Sequence, residues 1–149
     1  MTSATPTSFP INELLPELFS TLATRPNVVI QAPPGAGKTT QVPLALLSMD
    51  WLGDKKIIML EPRRIAARAA ARFMASSLGE KAGETVGYRV RLDNKVGPKT
   101  RIEVVTEGVL TRMVPDAPSL EDYGVVMFFE FHELNRSADF GWALGMYVL

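Results

Sequence analysis

Nine residues near the start of the chain have the types and spacing to hold a phosphate chain: Ala32-Pro-Pro-Gly-Ala-Gly-Lys-Thr-Thr40. They satisfy the pattern G-x-x-x-x-G-K-[ST] at every position but the first, where Ala32 replaces glycine. Gly35 and Gly37 let backbone N–H groups approach phosphate oxygens without a Cβ in the way. Ala36 between them and Thr40 beyond complete a cradle that ends on the positive N-terminus of the next helix. Lys38 would reach the β- and γ-phosphates as the catalytic cation, and Thr39 would put its hydroxyl on Mg2+. The competing reading is a Gly/Pro turn with a solvated lysine, which the flanking elements disfavour.

Those elements are the strand and helix such a loop must join. Asn27-Val-Val-Ile-Gln31 reads as a short buried strand, and residues 40–48 carry Val42, Leu44, Leu46 and Leu47 for a packed helix, with Pro43 placed in its first turn. Upstream, apolar residues at spacings of three and four predict an amphipathic helix over 11–23. Downstream, Lys56-Ile-Ile-Met-Leu-Glu61 predicts a strand, and residues 63–78 a helix stopped at Gly79. Residues 85–92 read as extended and 93–98 as a turn; Arg101-Ile-Glu-Val-Val-Thr106 reads as a strand and 107–114 as a short helix before Pro115. Tyr123 leads into a strand at Val125-Val-Met-Phe-Phe129, and 138–149 reads as a helix. Alternating strands and helices predict an α/β fold, a parallel sheet with helices on both faces.

A second place for chemistry is the junction after the strand at 56–61. Arg63 and Arg64 stand beside the free N–H groups of a helix opened by Pro62, which suits a nucleic-acid phosphate and reads no bases. Arg64, Arg68 and Arg72 share a helix face, and for Arg68 and Arg72 a solvated face is the simpler reading. Thr106 and Glu107 stand at the start of the next helix, where they would meet the same strand of nucleic acid or simply cap the helix.

Composition narrows the rest. The 149 residues carry 16 basic and 16 acidic side chains, for zero formal net charge. Residues 63–101 nevertheless hold ten basic against three acidic side chains, an electropositive strip inside an otherwise acidic chain. The absence of cysteine excludes disulfides and thiol chemistry and fits a cytoplasmic protein; a single histidine, His132, excludes a site built on several imidazoles. Residues 1–10 read as a disordered tail without a secretory signal, residues 11–149 as one domain, and no stretch is apolar enough to span a bilayer. Oligomeric state is open.

Phe128-Phe-Glu-Phe-His-Glu133, downstream of the phosphate loop, resembles the D-E-x-H box of superfamily 2 helicases. Ala32 in place of the first glycine resembles their A-x-x-G-x-G-K-T loop. Glu61-Pro-Arg-Arg-Ile-Ala-Ala-Arg68 and Thr106-Glu-Gly-Val-Leu-Thr-Arg112 resemble motifs Ia and Ib of the DEAH type, most closely bacterial HrpB-type ATP-dependent RNA helicases. The resemblance implies a RecA-like P-loop NTPase domain, using ATP or another NTP with Mg2+ and binding nucleic acid as single-stranded RNA. It implies that Glu130 orients the attacking water and that His132 couples the nucleotide site to strand movement. It also exposes a departure: Phe129 stands where the family has its magnesium-holding aspartate, leaving Thr39 and the phosphates as metal ligands. Leu134 departs from the usual arginine. The resemblance further implies that the domain stops before the S-A-T motif and that the second RecA-like domain is absent. Two alternatives follow: a nucleotide- or RNA-holding module without turnover, and an inactive truncated product.

Overall fold

The computed structural model describes residues 15–22, 24, 27–30, 38–113, 122–133 and 140–148. In chain order the elements are α1 (Leu15–Leu22), β1 (Asn27–Ile30), α2 (Lys38–Leu46), β2 (Lys56–Leu60), α3 (Arg64–Ser77), β3 (Val86–Val90), β4 (Asp93–Lys95), β5 (Ile102–Val105), α4 (Glu107–Met113), β6 (Tyr123–Glu133) and β7 (Phe140–Val148). The seven strands form one sheet in the order β1-β7-β6-β2-β5-β3-β4. Strands β6, β2, β5 and β3 run parallel, as βαβ connections require. Because β7 is antiparallel to both its neighbours, β1 runs the same way as β6.

The apolar periodicities account for the packing. Strand side chains alternate between faces, so Ile57 and Met59, Ile102 and Val104, Val125 and Met127, and Leu144 and Met146 line one side. Against them pack Leu18 and Leu22 of α1, Val42 and Leu46 of α2, and Ala67, Ala71 and Met74 of α3. The small alanines of α3 let that helix sit close to the sheet. On the other face, Val109 and Leu110 of α4 cover Ile58, Val105 and Tyr123. Helices therefore lie on both faces, as expected. Tyr123 reaches this second face because the pairing of β2 with β6 slips between Lys56 and Ile57, turning Lys56 and Tyr123 to the same side.

Four expectations are corrected. The sheet is mixed, since β4 and β7 are antiparallel to their neighbours. Residues 93–95 form β4 instead of a turn; the reversal lies at Arg91-Leu92, where Leu92 adopts φ 66°, a backbone normally left to glycine. The helix expected over 138–149 is, over its described residues, the strand β7: it pairs with β6 on one side and β1 on the other, Leu144 and Met146 are buried while Tyr147 after them is exposed, and two-residue alternation wins over the helical pattern that Gly141 and Gly145 already weaken. Pro43 lies in the interior of α2, because the helix begins at Lys38 and not at Thr40. It forgoes a bond to the carbonyl of residue 39, and its ring is buried. The expected disordered tail and residues 11–14 of the first helix lie outside the described residues.

Candidate nucleotide and nucleic-acid site

Strand β1 ends at Ile30 and α2 begins at Lys38, so the strand–loop–helix order that a phosphate loop needs is present. Gly35, Ala36 and Gly37 lie outside the described residues. Lys38, Thr39 and Thr40 form the first turn of α2, which carries no acidic residue to offset the positive end of the helix.

The acidic box lies within β6, which continues to Glu133 instead of ending at Glu130. Glu130 pairs with Ala143, His132 with Gly141, and Phe129 with Leu144, which itself pairs with Ile30. The end of the phosphate-loop strand and the start of the acidic box thus share one level of the sheet. With β7 between them they stand two strand spacings apart, about 9–10 Å.

The same level leads onward to the β2–α3 and β5–α4 junctions. Met127 pairs with Met59, and Met59 with Val104, so two residues further Glu61 and Thr106 are reached at the ends of β2 and β5. A hydrogen bond from the Glu61 N–H to the Val105 carbonyl, 2.8 Å, holds these ends together. Arg63 is the N-cap of α3 in an extended conformation, φ −122° and ψ 137°, and gives the cap no side-chain hydrogen bond. Pro62 therefore precedes the cap instead of opening the helix. Arg63 and Arg64 are exposed, and the first turn of α3 contains no acid. Such a helix start attracts an anion through its dipole and its two guanidinium groups. The buried Glu61 carboxylate accepts the Arg63 N–H; burial pushes its pKa up, against the pull of the Arg63 charge and that hydrogen bond.

At the neighbouring junction Thr106 is buried, and its carbonyl accepts the N–H groups of Val109 and Leu110 at 3.1 and 3.0 Å, the first bonds of α4. Glu107 follows as the first helical residue. Thr106 is thus the backbone start of α4, which fits the capping alternative as well as strand contact.

Sequence reasoning missed a charged cluster under α4. Glu103 of β5 has a fully buried side chain whose Oε1 accepts from Arg89 Nε at 2.8 Å and from the Tyr123 hydroxyl at 2.7 Å. Lys56 Nζ lies 3.3 Å from Oε2, near enough for an ion pair but not aligned as a hydrogen bond, so that oxygen has no hydrogen-bond donor. Burial and the nearby carboxylate push the Tyr123 phenol far above its ordinary value, keeping it a neutral donor. The signal was present as a lone glutamate in an otherwise apolar strand.

Matching against known families pairs residues 13–148 with the DEAD/DEAH box helicases. The chain belongs to that family. This helicase domain is 53% identical over 137 residues to the ATP-dependent RNA helicase HrpB of Escherichia coli (strain K12), covering 92% of the chain and 17% of that protein. It is 34% identical over 131 residues to the ATP-dependent RNA helicase HrpA of Borreliella burgdorferi, covering 88% of the chain and 16% of the relative. Among solved structures, the crystal structure of the E. coli DEAH/RHA helicase HrpB superposes with a TM-score of 0.78 at 53% identity, over 89% of the chain and 17% of that structure. A crystal structure described as the E. coli DExH-box NTPase HrpB gives 0.79 at 51% identity, over 93% of the chain and 17% of that structure. The domain therefore spans about a sixth of the length of these HrpB and HrpA relatives. No helix among the described residues is long and apolar enough to cross a membrane.

Among the described residues no three acidic or histidine side chains gather to hold a metal, and Phe129 offers no oxygen where the box would supply one.

Proposed function

We propose that this chain is the nucleotide-binding domain of an HrpB-type ATP-dependent RNA helicase. ATP would rest its phosphates on Gly35, Ala36, Gly37, Lys38, Thr39 and Thr40, and single-stranded RNA would contact Arg63, Arg64, Thr106 and Glu107. Glu130 would orient the attacking water and His132 would link the nucleotide site to the RNA side. The observation that carries this reading is the shared end of the sheet, where the phosphate-loop strand, the acidic-box strand and the β2–α3 and β5–α4 junctions emerge at one level. A protein without cysteine suits a reducing, cytoplasmic setting.

A second reading is favoured by one residue. With Phe129 in place of a carboxylate, nucleotide and RNA would be held without efficient hydrolysis, since the metal would lack a protein ligand from the box. The test is equilibrium binding of a fluorescent ATP analogue, with and without Mg2+, to the wild type and Lys38→Ala. Saturable binding lost in the variant supports the phosphate loop. A folded wild type that binds no nucleotide sinks both readings.

A further inference from the structure

Arg89 meets Glu103 through one of its five donors. Its Nε is 2.8 Å from Oε1, the carboxylate side chain is 1% exposed, and the arginine side chain is 33% exposed. A guanidinium gripped at Nε directs its two terminal amino groups away from the grip, as a planar pair of donors matched to a phosphate or carboxylate. We propose that Arg89 is a further phosphate-contacting residue, oriented by Glu103, on the nucleic-acid path that the preceding section assigns to the ends of β2 and β5; the inference rests on that assignment.

The backbone places Arg89 beside that path. Its carbonyl accepts the Thr106 N–H at 3.3 Å, so the arginine stands next to the residue that starts α4. Charge points the same way: Lys56 and Arg89 both face the one carboxylate of Glu103, so the trio keeps a positive surplus, and exposed Arg91 follows two residues later. Orientation adds to affinity as well. A free arginine side chain gives up considerable rotamer entropy when it binds, and one already fixed at Nε gives up less. The hydroxyl of Tyr123 on the same oxygen steadies the carboxylate from the opposite side of β5.

A purely structural Arg89 would hold Glu103 in place and make no contact with phosphate. The two roles separate in the salt dependence of RNA binding, because each phosphate contact to a single strand contributes a slope of about −0.7 in log K against log salt. The experiment is fluorescence anisotropy of a fluorescein-labelled single-stranded oligouridine, titrated with the 149-residue chain at several NaCl concentrations. Arg89→Lys is the main variant: its one nitrogen can still pair with Glu103, so the buried acid stays neutralised, but nothing remains beyond it to reach a phosphate. Arg89→Gln is the second variant, and Lys81→Gln, exposed before the start of β3 at the opposite end of the sheet, is the control. Both Arg89 variants should bind about threefold to tenfold more weakly at low salt, with a slope shallower by about 0.7, while the control keeps the wild-type slope. A folded Arg89→Lys protein with the wild-type slope overturns the proposal and leaves the RNA reading standing. A folded wild type that does not bind the oligouridine removes the RNA reading and this proposal together.

Discussion

On the proposed function, the chemistry turns on Phe129. It occupies the level of the sheet that the end of β1 and the start of the acidic box share, with β7 between them, and its side chain brings no oxygen to a hard cation. Replacing it by aspartate supplies the missing ligand type, so Phe129→Asp should raise affinity for a fluorescent ATP analogue by the order of tenfold, about 1.4 kcal/mol, only when Mg2+ is present. Equal affinity with and without Mg2+ in the variant would place the defect elsewhere. Glu61 offers a second prediction at this scale. Its pKa is raised by burial, so the folded chain binds this proton more tightly than the unfolded chain. Stability from this group is then fully present below the unfolded value and is lost as pH rises through the folded one. Glu61→Gln keeps an acceptor for the Arg63 N–H and removes that loss. Its melting temperature should exceed the wild type's at pH 7.5 and converge with it below about pH 4. A constant difference across that range would contradict the assignment.

Elements differ in how plainly the sequence announces them. Strands β2 and β5 and helix α3 follow from apolar periodicity, because burial of one stripe or one uninterrupted run dictates their form. Strand β4 hides behind an Asp-Asn-Lys composition that suits a turn, and only its pairing with β3 makes it a strand. Strand β7 reads as a helix until β6 supplies a partner, since nine mostly apolar residues suit either period. The Glu103 cluster was illegible for a different reason: Arg89 is 14 residues away in sequence and Tyr123 is 20, so only the sheet order unites them. Of the candidate site, the sequence announces the residue types, and the strand order adds their common level. Gly87 shows a constraint of the same tertiary kind, since a Cβ there would run into the Lys95 carbonyl of the adjacent strand β4. Gly87→Ala should therefore cost about 1–3 kcal/mol in urea unfolding with an unchanged m-value. An unaltered midpoint would show that 95–97 can move aside freely.

Over the whole molecule, stability should fall away from the middle of the sheet. Strand β2 is fourth of seven, with Ile57, Ile58 and Met59 fully buried, and β5 beside it has Ile102, Val104 and Val105 fully buried. Strand β1 is outermost, and Val29 on it is half exposed. Hydrogen exchange should be slowest at 57–59 and 102–105 and markedly faster at 27–30. Equal protection of β1 and β2 would mean that the sheet opens only as one unit. Such a gradient suits a domain whose rigid middle carries the β2–α3 and β5–α4 junctions while β1 at the edge keeps some freedom.

The two outer strands of the sheet are unlike each other. β4 is three residues long, charged, and tied back to α3 by the 3.1 Å pair of Arg68 with Asp93. β1 is the uncharged Asn-Val-Val-Ile, and beside it Tyr147 of β7 is exposed. Lone charges and short length discourage a further strand from joining, and an uncharged edge invites one. Among the described residues the sheet therefore has a finished margin and an unfinished one: any extension, whether from the same polypeptide or another, would grow past β1 and leave the β4 margin as it is.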